Sequence, residues 1–157
     1  MITAIDTNAL VAVLYDDEHA DASESELRHA YSEGSLVVAP IVFAELAADG
    51  QFEGESGLSR FLDDLGIRIT EPSTDALFRA GERFMSYLDR RPDGFQCPSC
   101  GEIRGVSCDS CGEALAPRQH IAANFVIGAH ASVDADTLIS FDSGFFATYF
   151  PELTVVP

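Results

Sequence analysis

Short apolar runs recur along this chain, and each is followed by a segment with helical spacing. Ile2-Thr3-Ala4-Ile5 stops at a carboxylate, Asp6, and reads as a buried strand. Thr7 to Leu14 follows with helical spacing, and Asp17 to Ser32 is a sparse surface helix stopped by Gly34. Ser35 to Ala39 is a second strand. Pro40 then sits where a helix can begin at no cost in lost N–H groups; that helix continues from Ile41 to Ala48 and ends at Asp49-Gly50. Leu58 to Leu65 predicts a short helix and Ile67 to Thr70 a third strand. Ser73-Thr74-Asp75 caps a helix from Ala76 to about Arg90. A helix from Arg118 to His130, a fourth strand over Thr137 to Ser140, a turn or short helix from Ser143 to Phe150, and a last strand from Leu153 to Val156 complete the pattern. Apolar strands alternating with helices predict a parallel sheet covered on both faces, a three-layer α/β/α architecture. With 157 residues the chain suits one domain over 1–157.

No apolar run approaches the roughly 18 residues of a membrane span. The start reaches a carboxylate at once, unlike a secretion signal. A soluble, cytoplasmic protein is expected. The charge is extreme, with 26 acidic residues against 9 basic ones and a net charge of -17. All nine are arginine; lysine is absent. Salt screens the self-repulsion of such a surface, to about 3 Å at about 1 M. This predicts adaptation to a salt-rich cytoplasm, as in halophilic archaea. The alternative is an acidic protein for basic partners, which would not explain losing lysine everywhere.

Function in such sheets collects beyond the carboxyl ends of the strands. Asp6 ends the first strand and Asp142 follows the fourth. Glu45 lies early in the helix after the second strand, and Asn124 early in the helix before the fourth. The topology lets all four converge. Clustered carboxylates repel one another, and a divalent cation relieves this. Oxygen donors alone select a hard ion, Mg²⁺ or Mn²⁺, which can serve phosphodiester hydrolysis. Against this, a lone Asp after a strand is often only a helix cap. Glu45 is harder to dismiss, because an unpaired acid within the apolar stretch Val42-Phe43-Ala44-Glu45-Leu46 is costly to bury.

Residues from about 92 to 116 interrupt the pattern. They are rich in Cys, Gly, Ser and Pro and contain the only cysteines, Cys97, Cys100, Cys108 and Cys111. The spacing CxxC-x7-CxxC, each pair followed by Gly, suits four thiolates around a structural Zn²⁺. Two disulfides, or a redox dithiol, are the alternatives; an intracellular setting disfavours the first and the doubled motif the second. The segment is too polar to form its own core, so metal would supply its folding energy. It resembles a pair of zinc-ribbon knuckles. His19, His29, His120 and His130 share no ligand spacing, and Phe145, Phe146, Tyr149 and Phe150 read as core.

Four motifs resemble those of the PIN-domain family, in the family's order. Ile2 to Leu10 resembles its opening strand, Asp, then Thr and Asn. Ala39 to Glu45 resembles its glutamate-bearing helix. Asn124 to Ala131 resembles its third motif, and Leu138 to Phe145 its fourth. The resemblance spans nearly the whole chain, and by size it is closest to VapC-like toxins of toxin–antitoxin pairs. It implies a Mg²⁺- or Mn²⁺-dependent endoribonuclease that acts on RNA, is inhibited by an antitoxin and forms a homodimer. It also implies that Asp6, Glu45, Asn124 and Asp142 hold the metals, with Asn8 and Ser140 supporting them; local capping explains those two equally well. Asn124 departs from the family, whose third motif normally opens with aspartate. An amide brings no charge and cannot act as a base. Either the chain is a naturally weakened member, or an Asp→Asn change was introduced to spare an expression host. An RNA-maturation nuclease, or a non-catalytic module binding RNA or protein, remain as alternative functions.

Overall fold

The computed structural model describes residues 1–90, 94–96, 102–115 and 121–157. The chain opens with β1 (Ile2–Ile5), α1 (Thr7–Tyr15), α2 (Ala20–Glu33), β2 (Ser35–Val38), α3 (Pro40–Ala48), α4 (Gly54–Asp64), β3 (Ile67–Ile69) and α5 (Thr74–Arg90). Four two-residue strands follow: β4 (Phe95–Gln96), β5 (Ile103–Arg104), β6 (Val106–Ser107) and β7 (Ala114–Leu115). The chain closes with α6 (Ala123–Asp134), β8 (Thr137–Ile139), α7 (Ser143–Tyr149) and β9 (Val155–Val156).

Five strands form one sheet in the order β3-β2-β1-β8-β9, and every neighbouring pair is parallel. Successive residues of β1, β2 and β8 are buried. Since neighbouring side chains point to opposite faces, both faces of the sheet are covered, as the apolar runs predict. The chain grows from β1 to β2 and β3 on one side, then returns to place β8 and β9 on the other. The strand order therefore reverses between β1 and β8, and a crevice forms outside their carboxyl ends.

Local chemistry sets the helix ends beside that crevice. The Asp6 carboxylate accepts the Thr7 N–H and caps α1. Pro40 occupies the first turn of α3. The Asp142 carboxylate accepts the Phe145 N–H and caps α7. Ser73 caps α5 through its hydroxyl, which accepts the Ala76 N–H at 3.2 Å.

α5 and α6 pack antiparallel. At one end the Ser73 N–H donates to Asp134 Oδ2 at 2.8 Å; at the other the rings of Tyr87 and Phe125 lie 5.7 Å apart. Phe125 gathers Phe84, Phe145 and Tyr149 around it at 5.0–5.5 Å. Phe146 and Phe150 are fully buried, as expected of core residues. Gly128 allows this packing: a Cβ there would stand 2.6 Å from Cε2 of Phe150. His130 is buried too, 3.0 Å from the Thr70 hydroxyl and 3.1 Å from Asp134 Oδ2. It is a packing residue, as the sequence suggests.

Some boundaries differ from expectation. α4 begins at Gly54 rather than Leu58, with Phe52 packed on Phe61 ahead of its first turn, the rings 5.4 Å apart. The helix expected from Arg118 is described only from Ala123; residues 116–120, His120 among them, lie outside the described residues. Within the cysteine segment the described parts form two antiparallel ribbons, β4 with β5 and β6 with β7. No described helix is long and apolar enough to cross a membrane.

Candidate metal centre

Asp6 sits at the end of β1 with only 3% of its surface exposed. Its Oδ1 accepts the Thr7 N–H at 2.7 Å. Its Oδ2 accepts the Ser140 hydroxyl at 2.7 Å and the Asn8 amide at 2.9 Å. Asn8 returns its own Oδ1 to the Phe141 N–H at 3.2 Å, and the Ser140 hydroxyl accepts the Asp142 N–H at 3.0 Å. Asp6, Asn8, Ser140 and Asp142 are thereby joined across two strand ends in one network.

The remaining acids close on it. Burial pushes the Asp6 carboxyl above its ordinary range, and the charges of Glu45 and Asp142 add to this; hydrogen bonds from Ser140 and Thr7 act in the opposite sense. The Glu45 carboxylate accepts the Thr7 hydroxyl. Asn124, at the start of α6, directs its amide N–H toward Asp142 Oδ2 at 3.5 Å. Asp6, Asn8, Glu45 and Asn124 line one cleft of about 590 Å³. All four residues singled out for metal, and both supporting residues, thus lie together. Thr7, a contact of Glu45, carries no sequence signal of that role although it directly follows Asp6. Neither does Asp49, which lines the same cleft one helical turn beyond Glu45.

The donor set is three carboxylates and an amide, without sulfur or imidazole. Its chemistry fits a hard divalent cation. Among the described residues no group of three His, Cys, Asp or Glu side chains stands as a formed metal cage; the carboxylates are held by the hydrogen bonds above. A hollow of about 650 Å³ lies elsewhere, lined by Val13, Leu27, Tyr31 and Leu65 and by Asp63 and Asp64. It contains none of the four, so the smaller cleft is where the chemistry collects.

Cys108 is half-buried and Cys111 exposed, both with free thiols. The Cys108 N–H donates to the Glu113 carbonyl and the Gly112 N–H to the Cys108 carbonyl, each at 2.8 Å. Gly112 turns at φ +74°, in the left-handed region. Backbone hydrogen bonds from Ser110 and Cys111 hold the Cys108 thiol below its ordinary pKa. Cys97 and Cys100 lie outside the described residues.

A five-stranded parallel sheet with an acidic cleft at its topological switch defines an α/β domain built to gather oxygen donors. The family model of the PIN domain matches residues 3–89, and the chain belongs to that family. No curated protein matches it. Solved structures share its fold, two VapBC complexes among them. The crystal structure of VapBC2 from Rickettsia felis bound to a DNA fragment from their promoter aligns with a TM-score of 0.62 at 19% identity, over 99% of this chain and 98% of that one. The 2.2 Å structure of VapBC-1 from nontypeable Haemophilus influenzae aligns with a TM-score of 0.62 at 18% identity, over 99% and 97%.

Proposed function

We propose that the chain is a Mg²⁺- or Mn²⁺-dependent endoribonuclease, the toxin of a toxin–antitoxin pair. One observation carries this: Asp6 is a buried carboxylate whose charge is opposed by Glu45 and Asp142. A fold keeps such a cluster at neutral pH most readily when a cation offsets it. Asp6, Glu45, Asn124 and Asp142 would hold the ion, exchanging present hydrogen bonds for it. A bound hard cation supplies water activation and neutralises charge on the phosphodiester. Asn8 and Ser140 fix the Asp6 carboxylate and the Asp142 backbone. PIN-family membership and the fold shared with VapBC structures support the toxin assignment and an antitoxin partner.

Further elements of the proposal rest on the sequence. The chain is one domain over 1–157, interrupted at about 92–116 by a segment in which Cys97, Cys100, Cys108 and Cys111 bind a structural Zn²⁺. The tight turn at Cys108–Gly112 supports this. The protein is cytoplasmic, salt-adapted and homodimeric.

A second function, non-catalytic binding of RNA or protein, is favoured by Asn124 itself. Its amide points N–H at Asp142, where an aspartate would add an anion. One assay separates the two: RNA cleavage in Mn²⁺ at high salt by the chain and by Asn124→Asp. Cleavage that needs the ion and rises at least tenfold in Asn124→Asp supports the nuclease. No cleavage by either chain overturns it.

A further inference from the structure

The cleft changes chemistry away from Asp6. Asn8 and Val11 of α1 line the cleft, with Tyr15 one helical turn beyond Val11, and Glu45 of α3 lines it together with Asp49, just past the end of that helix. Glu45 and Asp49 line the same cleft, separated by about 6 Å of helix rise. The Tyr15 hydroxyl donates to Asp49 Oδ2 at 2.6 Å, joining the ends of the two walls. Asp16 takes a left-handed conformation (φ 51°), which ends α1 here, and Tyr15 just before it is 49% exposed. The bond to Tyr15 is made by Oδ2, and Asp49 is itself exposed.

We propose that Tyr15 and Asp49 form a nucleobase subsite, taking a single-stranded base with an exocyclic amine, cytosine, adenine or guanine, next to the phosphodiester at Asp6. This rests on the ribonuclease function proposed above. A phosphate is repelled at Asp49, and so is a carbonyl edge; a neutral N–H donor is not. Cytosine N4, adenine N6 and guanine N2 are such donors, whereas uracil has no amine and flanks its one ring N–H with two carbonyls. The tethered ring supplies the stacking face that unpaired bases use. Val11 and Ala48 also line the cleft and give it apolar surface. The hydrogen bond alone does not account for the arrangement, because an exposed bond of this kind contributes little to stability.

The test is binding of fluorescent oligo(C), oligo(A) and oligo(U) to the full chain in Ca²⁺, followed by anisotropy, beside cleavage of the same oligomers in Mn²⁺. Oligo(C) and oligo(A) are expected to bind at least fivefold tighter than oligo(U). Asp49→Asn, whose amide both donates and accepts, should bring that ratio near one. Tyr15→Ala should weaken all three about tenfold, and Tyr15→Phe, which keeps the ring, far less. Melting curves check that the variants fold. Equal binding of the three oligomers, or unchanged binding by Tyr15→Ala, with cleavage intact, overturns the subsite and leaves the nuclease standing. Neither binding nor cleavage of any oligomer overturns both.

Discussion

The Ser140 hydroxyl donates to the buried carboxylate of Asp6 at 2.7 Å, across 134 residues of chain. The same oxygen accepts the Asp142 N–H. Ser140→Ala therefore strips one donor from a buried anion and orphans a backbone N–H. A cost of about 1–3 kcal/mol in unfolding free energy follows, since unpaired buried groups lose their hydration without compensation. Denaturant titration checks this, and Mn²⁺ affinity should fall several-fold in the same variant. A loss within about 0.5 kcal/mol, typical of uninvolved surface changes, would detach Ser140 from the site.

The Asp6 carboxyl, held above its ordinary 3.8 by burial and by its acidic neighbours, makes stability depend on pH in a definite sense. The folded chain holds this proton more tightly than the unfolded chain. Metal-free stability therefore rises as pH falls from neutral through the folded pKa, and the penalty is fully present above it. The other acids of this chain also respond to pH, so the comparison is with Asp6→Asn. As pH falls from 7 toward the ordinary 3.8, melting temperatures should climb less in that variant, and saturating Mn²⁺ should flatten the slope of the unmodified protein. Identical slopes in both chains would contradict the account of Asp6.

How far the sequence foretold this site depends on the kind of signal. Glu45 was legible because it interrupts an apolar stretch, and burying an acid there demands a reason; Asp6 was legible from its place at the carboxyl end of the first strand, where a helix cap is an equally ordinary role. Asn8 and Ser140 were legible only through family resemblance, since polar residues beside strand ends are equally good caps. The bond between Thr7 and Glu45 links α1 to α3, and no local pattern reports how two helices meet. The start of α4 was hidden because Gly54-Glu55-Ser56-Gly57 has poor helix propensity, which tertiary packing overrides.

Gly128 shows the same limit within the core. In an isolated helix Gly→Ala gains about 1 kcal/mol. Here the new Cβ would meet Phe150 at 2.6 Å and Phe146 at 3.0 Å, and both rings are fully buried. Overpacking costs about 1–3 kcal/mol and should prevail. Gly128→Ala is expected to lower the melting temperature; an increase would show that the two rings yield freely.

The zinc proposal predicts a local response to chelation. Amide hydrogen exchange should accelerate in 102–115, including the Cys108–Gly112 turn, while β1, β2 and β8 keep their protection. The Cys108→Ser variant should behave as the chelated protein does. Unchanged exchange in that segment would remove the structural metal.

The central claim is that Asp6, Glu45, Asn124 and Asp142 capture one class of small hard cation. A crystal of the full chain soaked in Mn²⁺, measured for anomalous scattering, tests it most directly. The account expects a manganese peak within coordination distance of Asp6 and Asp142, strengthened in Asn124→Asp. A soaked crystal with no peak in that cleft for either chain, or with manganese bound only elsewhere, would contradict it.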